Sequence, residues 1–331
     1  MSTAELDRLI IDASGLGFFP MRDLLRYLRK ERVRRPDLVV KYCSHLLTYA
    51  GRLGDELWVV YEQALVAALD CADYGLANTY LAALNKKFPK SQRVGRLEGM
   101  VLEAGGKYSA ALDVYNGLVE QNPANSLARK RQVAVLIAQG KTAAAVKALN
   151  AYLAEFAADM EGWLQLAKLH IGASNYEAAI FCYEELVLAS PSDPLLHCRL
   201  GELYYTQGGA VNLMRARKHL SQSVDLKKVG NARALHGLCQ ACVALASKSA
   251  TKGLAQGKER EEKEREVNAA LHLFATNELR KTYSSGDPAL AATGVNEMMP
   301  RLNLFRVALG VPLPLRLFLR ASSAWCECRR P

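Results

Sequence analysis

An all-α fold of stacked antiparallel helix pairs is predicted by three observations. Ala77, Ala111, Ala145 and Ala179 lie 34 residues apart. Leu81, Tyr115, Leu149 and Tyr183 follow these alanines by four residues, and Leu84, Leu118, Tyr152 and Leu186 by seven. Pro89, Pro123 and Pro191 follow by twelve, with Ala157 in the vacant slot. A small residue at a crossing lets two helices approach, large apolar residues at i+4 and i+7 fill the adjoining groove, and proline ends the second helix. The fold class is therefore all-α, a tetratricopeptide-repeat superhelical solenoid of antiparallel helix pairs with a 34-residue period.

Each segment follows in order. Residues 1–20 form an N-terminal extension that ends in Gly15, Gly17 and Pro20, and reads either as unstructured or as one short helix. Residues 21–57 are irregular capping helices, because the end of a solenoid needs a different outer face. Within them, 21–33 is a basic helix with Leu24, Leu25 and Leu28 on one face. Pro36 interrupts it, Asp37 is placed to cap the next helix, and Gly51 and Gly54 close that helix. Five repeats occupy 58–230, starting near Trp58, Gln92, Ser126, Met160 and Pro194.

The fourth repeat carries the full signature as Trp163, Leu166, Ala167, Ala179, Tyr183 and Pro191. The fifth keeps Leu200, Gly201 and Tyr204. It then gains three residues around Gly208 and Gly209, which moves its small residue to Ala216 and the following leucine to Leu220. Gly105, Gly106, Gly140 and Gly172 are assigned to turns within pairs, where positive φ is often needed. A C-terminal helix pair spans 231–298, with a helix over 232–247 and its partner resuming at 267–283. Between them lies a charged insertion, 252–266, whose alternating signs fit either a solvated helix or a flexible loop. A turn at Gly286, Asp287 and Pro288 leads to a short helix over 289–298. Residues 299–331 are apolar, arginine-rich and off the pattern, and are expected to be a poorly ordered tail.

The net charge of +10 resides at the two ends. Residues 20–41 hold eight Lys/Arg against Asp23, Glu31 and Asp37, and 299–331 hold six arginines against Glu327. These ends account for the whole excess, so the repeat body is near neutral, and nucleic acid is not expected as a partner. The basic ends read first as solvated helix faces, with an anionic membrane surface as the alternative. The eight cysteines are scattered and no basic, apolar leader opens the chain, which predicts reduced intracellular thiols. No uncharged apolar stretch reaches the roughly 20 residues that span a bilayer.

Catalytic chemistry is not expected. Cys239 and Cys242 form a C-x-x-C, and Cys326 and Cys328 a second close pair, but the first falls mid-helix, where small core cysteines are expected rather than a zinc site. The six histidines are dispersed, and no nucleophile elbow, zinc-protease motif or phosphate-binding glycine loop occurs. The chain is read as a non-enzyme without cofactor or metal.

What remains is a groove lined by the first helix of each pair. With Trp58 as position 1, groove positions 2, 5, 9 and 12 place Arg93, Arg96 and Lys130 in its first half. Ile137, Leu164, Ile171, Leu195 and Tyr205 fall in its later half. Basic at one end and apolar at the other, it suits a segment with acidic and hydrophobic stretches. Position 9 reads Val66, Met100, Ala134, Lys168 and Glu202, and position 6 reads Gln63, Leu97, Arg131, Gln165 and Arg199. Neither column holds an asparagine, which argues against the carboxylate clamp of chaperone-binding repeats.

Four stretches go beyond a generic repeat: Leu53-Gly54-Asp55-Glu56-Leu57-Trp58, the Ala128-Arg129-Lys130-Arg131 that follows Pro123, Phe181-Cys182-Tyr183-Glu184-Glu185-Leu186, and Tyr204-Tyr205-Thr206-Gln207-Gly208-Gly209. With them the chain resembles the family of endoplasmic reticulum membrane protein complex subunit 2, also called tetratricopeptide repeat protein 35, over residues 21–298. The tail from Met299 departs from the family pattern. The resemblance implies a non-catalytic scaffold, peripheral on the cytoplasmic side of the endoplasmic reticulum membrane. Its implied partners are the membrane subunits and cytosolic subunit 8 or 9 of a complex that inserts tail-anchored and multipass membrane proteins. The alternative is a cytosolic peptide-binding adaptor outside any membrane complex.

Overall fold

A computed structural model describes residues 3–246 and 258–284 of the chain. All regular structure among these residues is helical. The chain divides into two compact units, residues 1–152 and 153–331.

The first unit opens with α1 (Thr3–Ala13), α2 (Phe18–Lys30), α3 (Pro36–Leu46) and the single turn α4 (Ala50–Leu53). Helix pairs follow: α5 (Glu56–Asp70) with α6 (Tyr74–Lys87), then α7 (Gln92–Ala104) with α8 (Tyr108–Gln121). Next come α9 (Ser126–Ala138) and α10 (Thr142–Glu155), the latter crossing the unit boundary. The second unit contains α11 (Met160–Gly172), α12 (Tyr176–Ala189), α13 (Pro194–Gln207), α14 (Ala210–Leu226), α15 (Ala232–Ala246) and α16 (Lys258–Ser284).

The spacing that defines the repeat is the spacing of the core. Ala77, Ala111, Ala145, Ala179 and the displaced Ala216 are all fully buried. The leucines and tyrosines four and seven residues later are buried with them, Tyr115, Leu149, Leu186 and Leu220 completely. Two glycines show how tight the crossings are. A Cβ on Gly99 would stand 2.3 Å from the Tyr115 ring, and one on Gly201 would stand 2.6 Å from Leu220. Leu220 is also held against Gly237 of the next pair, 2.9 Å from where a Cβ would be. A single leucine thus keys α13, α14 and α15 together, and its burial contributes about 2 kcal/mol.

Most inter-pair turns end on a side chain that accepts a hydrogen bond from the new helix. Asn125 caps α9 through the Ala128 amide at 3.1 Å, Asp159 caps α11 through Glu161 at 3.1 Å, and Asp193 caps α13 through Leu195 at 2.8 Å. Asp73 and Asn175 do the same within pairs. Each such cap contributes about 1 kcal/mol.

Several local expectations are decided, some as one of the alternatives offered and some as corrections. The first basic helix starts at Phe18, and α1 precedes it. Asp37 does not cap α3. Arg35 holds the N-cap position and Pro36 the first turn, where proline's missing N–H costs nothing, and Asp37 lies inside the helix. Gly172 is the last residue of α11, and the left-handed turn after it falls to Ser174 at φ 57°. Gly106 and Gly140 do adopt positive φ, both 72°. The charge run is helical from Lys258 onward and continuous with 267–284, since α16 holds both. Arg217 of α14 donates to Glu264 at 2.6 Å, and the Asn268 side chain donates to the Cys242 carbonyl at 2.8 Å, so α16 is fixed at both helices beside it. The rest of the insertion, the 289–298 helix and the 299–331 tail lie outside the described residues.

Gly99→Ala should lower stability by about 1–3 kcal/mol, the usual cost of overpacking a tight crossing. Gly117→Ala, with nothing within 4 Å of the new Cβ, should be neutral or slightly stabilising through helix propensity. Urea melts of the two variants against the parent decide this; equal midpoints for both would refute the close approach.

Candidate functional site: the face of the first helices

The groove positions lie on α7, α9, α11 and α13, and each unit presents its own part. Arg93, Arg96, Lys130 and Ile137 are in the first unit, while Leu164, Ile171, Leu195 and Tyr205 are in the second. Arg93 is exposed and Arg96 half-buried, and the two converge on one carboxylate, Glu62 of α5. Arg93 Nε donates to Glu62 Oε1 at 2.9 Å, and the Arg96 guanidinium stands 3.6 Å from the same oxygen. Lys130, Ile137, Leu164, Ile171 and Tyr205 are half-buried, and Leu195 is 58% exposed. Burial raises the Tyr205 hydroxyl pKa.

Glu62 is part of a wider pattern that the residue columns did not reveal. Within each unit, carboxylates on a first helix receive cations from the neighbouring helix pair or capping segment. Arg26 and Arg29 of α2 hold Glu56 of α5 at 2.7 Å each. Arg34 holds Asp70 of α5 at 2.6 Å, and Arg131 of α9 stands 3.6 Å from Glu103 of α7. In the second unit Arg233 of α15 grips Glu202 of α13, with a second contact at 2.8 Å, while Arg199 approaches the same carboxylate at 3.3 Å. Glu202 is 7% exposed. The Arg26 hydrogen bond chiefly holds the Glu56 carboxyl below its ordinary range. In 20–41, Arg22 and Arg35 are also paired, with Asp23 and Asp37. Much of the basic N-terminal stretch is therefore neutralised within the fold, as a structural face rather than a free cationic patch.

Beside these pairs the first unit has an open cavity of about 250 Å³ between α5, α7 and α9. Val66, Leu69 and Met100 give it apolar walls, and Asp70, Glu103 and Arg131 a polar rim. Val66 and Met100 occupy position 9, and Leu69 and Glu103 position 12, on the face assigned to the groove. Arg93, Arg96, Lys130 and Ile137 do not line it. The Glu103 carboxylate, the Tyr115 hydroxyl and Arg131 interact with one another beside it. Burial raises the pKa of Glu103 and of Tyr115. A cavity of this size and mixed lining accepts one large side chain of a partner segment.

The histidines are less dispersed in space than in sequence. The rings of His197 and His219 stack at 5.4 Å with their Nδ1 atoms 3.1 Å apart, and His197 Nε2 lies 3.0 Å from the Pro191 carbonyl. Tyr204 stacks on His219 and donates to Glu184. His236 Nε2 meets the Tyr283 hydroxyl at 2.8 Å, joining α15 to α16. Cys239 and Cys242 are buried on α15, and burial pushes the Cys242 thiol up to about 12. Cys326 and Cys328 lie outside the described residues. No group of three or more metal-ligating side chains occurs among the described residues.

Burial and then the neighbouring His197 lower the pKa of His219, against the opposing pull of Glu184, while burial alone lowers that of His236. The unfolded chain, titrating near 6.5, therefore binds protons first as pH falls. Stability from these groups is complete above about pH 6.5 and is lost as pH drops below it. Denaturant melts should show a lower midpoint at pH 5 than at pH 7.5, with a shallower fall for His219→Gln; an equal slope in that variant would remove His219 as a source.

Comparison with known proteins places these helices. The family model for the EMC2 TPR-like repeat domain matches residues 71–226. An ER membrane protein complex subunit 2 from Xenopus tropicalis is 36% identical over 301 residues, covering 89% of this chain and 98% of that protein. A protein of the same name from Dictyostelium discoideum is 35% identical over 209 residues, covering 62% of this chain and 65% of its own length. Among solved structures, the C-terminal part of a TPR repeat-containing protein from Cytophaga hutchinsonii aligns with a TM-score of 0.51 at 13% identity, over 81% of this chain and 99% of that one. That last likeness concerns the fold alone.

Proposed function

The chain belongs to the family of ER membrane protein complex subunit 2, and from that premise we propose that it is a non-catalytic scaffold on the cytoplasmic side of the endoplasmic reticulum membrane. The match over nearly the full length of a named complex subunit carries this reading. In it, the chain holds membrane subunits and cytosolic subunit 8 or 9 together in a complex that inserts tail-anchored and multipass membrane proteins. Among the described residues no helix is long and apolar enough to cross a membrane, so on this reading attachment runs through the partners.

The geometry supports the scaffold role in a specific way. Paired guanidiniums and carboxylates link successive first helices at their surface, and the open cavity between α5, α7 and α9 leaves one apolar socket for a partner side chain. Arg93, Arg96 and Lys130 on one unit, with Ile137 nearby in sequence, and Leu164, Ile171, Leu195 and Tyr205 on the other, are the residues proposed to contact partner segments. Because Glu62 already offsets Arg93 and Arg96, the proposed contact relies on hydrogen bonds from the arginine forks more than on net positive charge.

Affinity purification of the tagged chain from detergent-solubilised membranes should recover membrane-spanning subunits in constant ratio. Recovery only as a free soluble protein would overturn the reading and favour an adaptor outside the membrane complex. Replacing Arg93, Arg96 and Lys130 by glutamine should weaken recovery by roughly fivefold or more, about 1 kcal/mol, if they form part of the contact. Unchanged recovery would remove them from it.

A further inference from the structure

The turn between α14 and α15 departs from the other inter-pair turns. Three of the others run Phe88-Pro89-Lys90-Ser91, Asn122-Pro123-Ala124-Asn125 and Ser190-Pro191-Ser192-Asp193, with proline near the start and a polar residue at the end, and Phe156-Ala157-Ala158-Asp159 keeps the same length without the proline. Here the chain runs Leu226-Lys227-Lys228-Val229-Gly230-Asn231, without proline and with an apolar residue at the tip. Val229 is 84% exposed, a high value for so apolar a side chain, and Leu226 is exposed as well. Both lysines are exposed.

The loop is held in place at its base. Asn231 Nδ2 donates to the Ser223 carbonyl at 2.9 Å and to Ser223 Oγ at 3.1 Å, and the Lys227 amide donates to the same carbonyl at 3.1 Å. Ser223 Oγ in turn donates to the Pro194 carbonyl at 2.6 Å, which brings the start of α13 to the same edge. Gly230 makes the turn at φ 72°. Of the nearby carboxylates, Asp193 is turned onto the Leu195 amide as a cap, and Asp225 is exposed.

We propose that the 226–230 loop of the second unit is a contact for an anionic lipid bilayer, with Lys227 and Lys228 at the phosphate layer and Val229 and Leu226 entering the acyl boundary. A braced loop in which two cations precede an apolar tip matches the vertical order of a membrane interface. Lysine is depleted in the cores of protein–protein interfaces, which argues against a protein partner on this spot. Nucleic acid would give the valine nothing to bury against. The bilayer contact goes beyond the scaffold reading, and its test does not depend on that reading.

The test is flotation of the purified full chain with vesicles of phosphatidylcholine alone and of phosphatidylcholine mixed with phosphatidylserine. The parent should float with the anionic vesicles, less with the neutral ones, and less as salt rises. Lys227→Glu with Lys228→Glu should lower the bound fraction at least about tenfold. Val229→Asp should lower it comparably, and Lys90→Glu, an exposed lysine in a turn of the other unit, should leave it unchanged. Unaltered thermal melts would show that these exposed substitutions leave the fold intact. Absence of flotation, equal binding to neutral vesicles, or an equal loss in Lys90→Glu would each overturn the proposal. Absence of flotation with retained co-purification of membrane subunits would refute the bilayer contact and leave complex membership standing.

Discussion

The close approach of helices at small residues is the constraint on which the rest of this structure depends. Tyr115 occupies the space a side chain on Gly99 would fill, and Leu220 sits between Gly201 and Gly237. The buried alanines at 77, 111, 145 and 179 set the same distance in their own pairs. A leucine or tyrosine that meets a missing side chain gains contact on all sides, which a looser crossing would forfeit. The helices within each pair therefore have one register, and everything displayed on the first helices inherits it.

The ion pairs build on that register. Glu62 reaches Arg93 and Glu202 reaches Arg233 across 31 residues, close to one repeat, because both partners lie on first helices of adjacent pairs. Exposed pairs contribute about 1 kcal/mol or less each, so they tune the surface more than they hold it. Their effect on function is larger. They turn a formally basic stretch into a mostly compensated face and leave the apolar walls of the cavity beside α5, α7 and α9 as the more distinctive feature. Glu202 differs, since it is buried and gripped by Arg233 with Arg199 nearby, which ties α13 to α15 in the unit that also carries the paired His197 and His219.

A repeat array can vary its turns without disturbing its crossings, because the turns lie outside the packed seams. The Lys227–Asn231 turn shows this, with Val229 exposed at the tip while Asn231 and Ser223 secure the base. The three added residues near Gly208 and Gly209 are absorbed in the helix instead: α14 begins on the repeat grid at Ala210 but runs 17 residues against 14 in α12, so that Ala216 and Leu220 regain the buried positions.

The sequence by itself determined the all-α repeat, its period, the buried ladder and the family, because these follow from side-chain size at fixed helical spacing, which is written locally and repeated. It also placed the first helices correctly enough that Gln92, Ser126, Met160 and Pro194 each begin one. Only the tertiary structure decided the partners across pairs: Glu62 beneath Arg93 and Arg96, His197 against His219, the cavity beside Glu103, and Asn231 bracing the loop that carries Val229. Those depend on which side chains of different helices converge, and a periodic pattern fixes the helices' spacing without fixing what meets between them. Asp37 illustrates the same limit at short range: its residue type suits a cap, but the ring of Pro36 had already set where the helix begins.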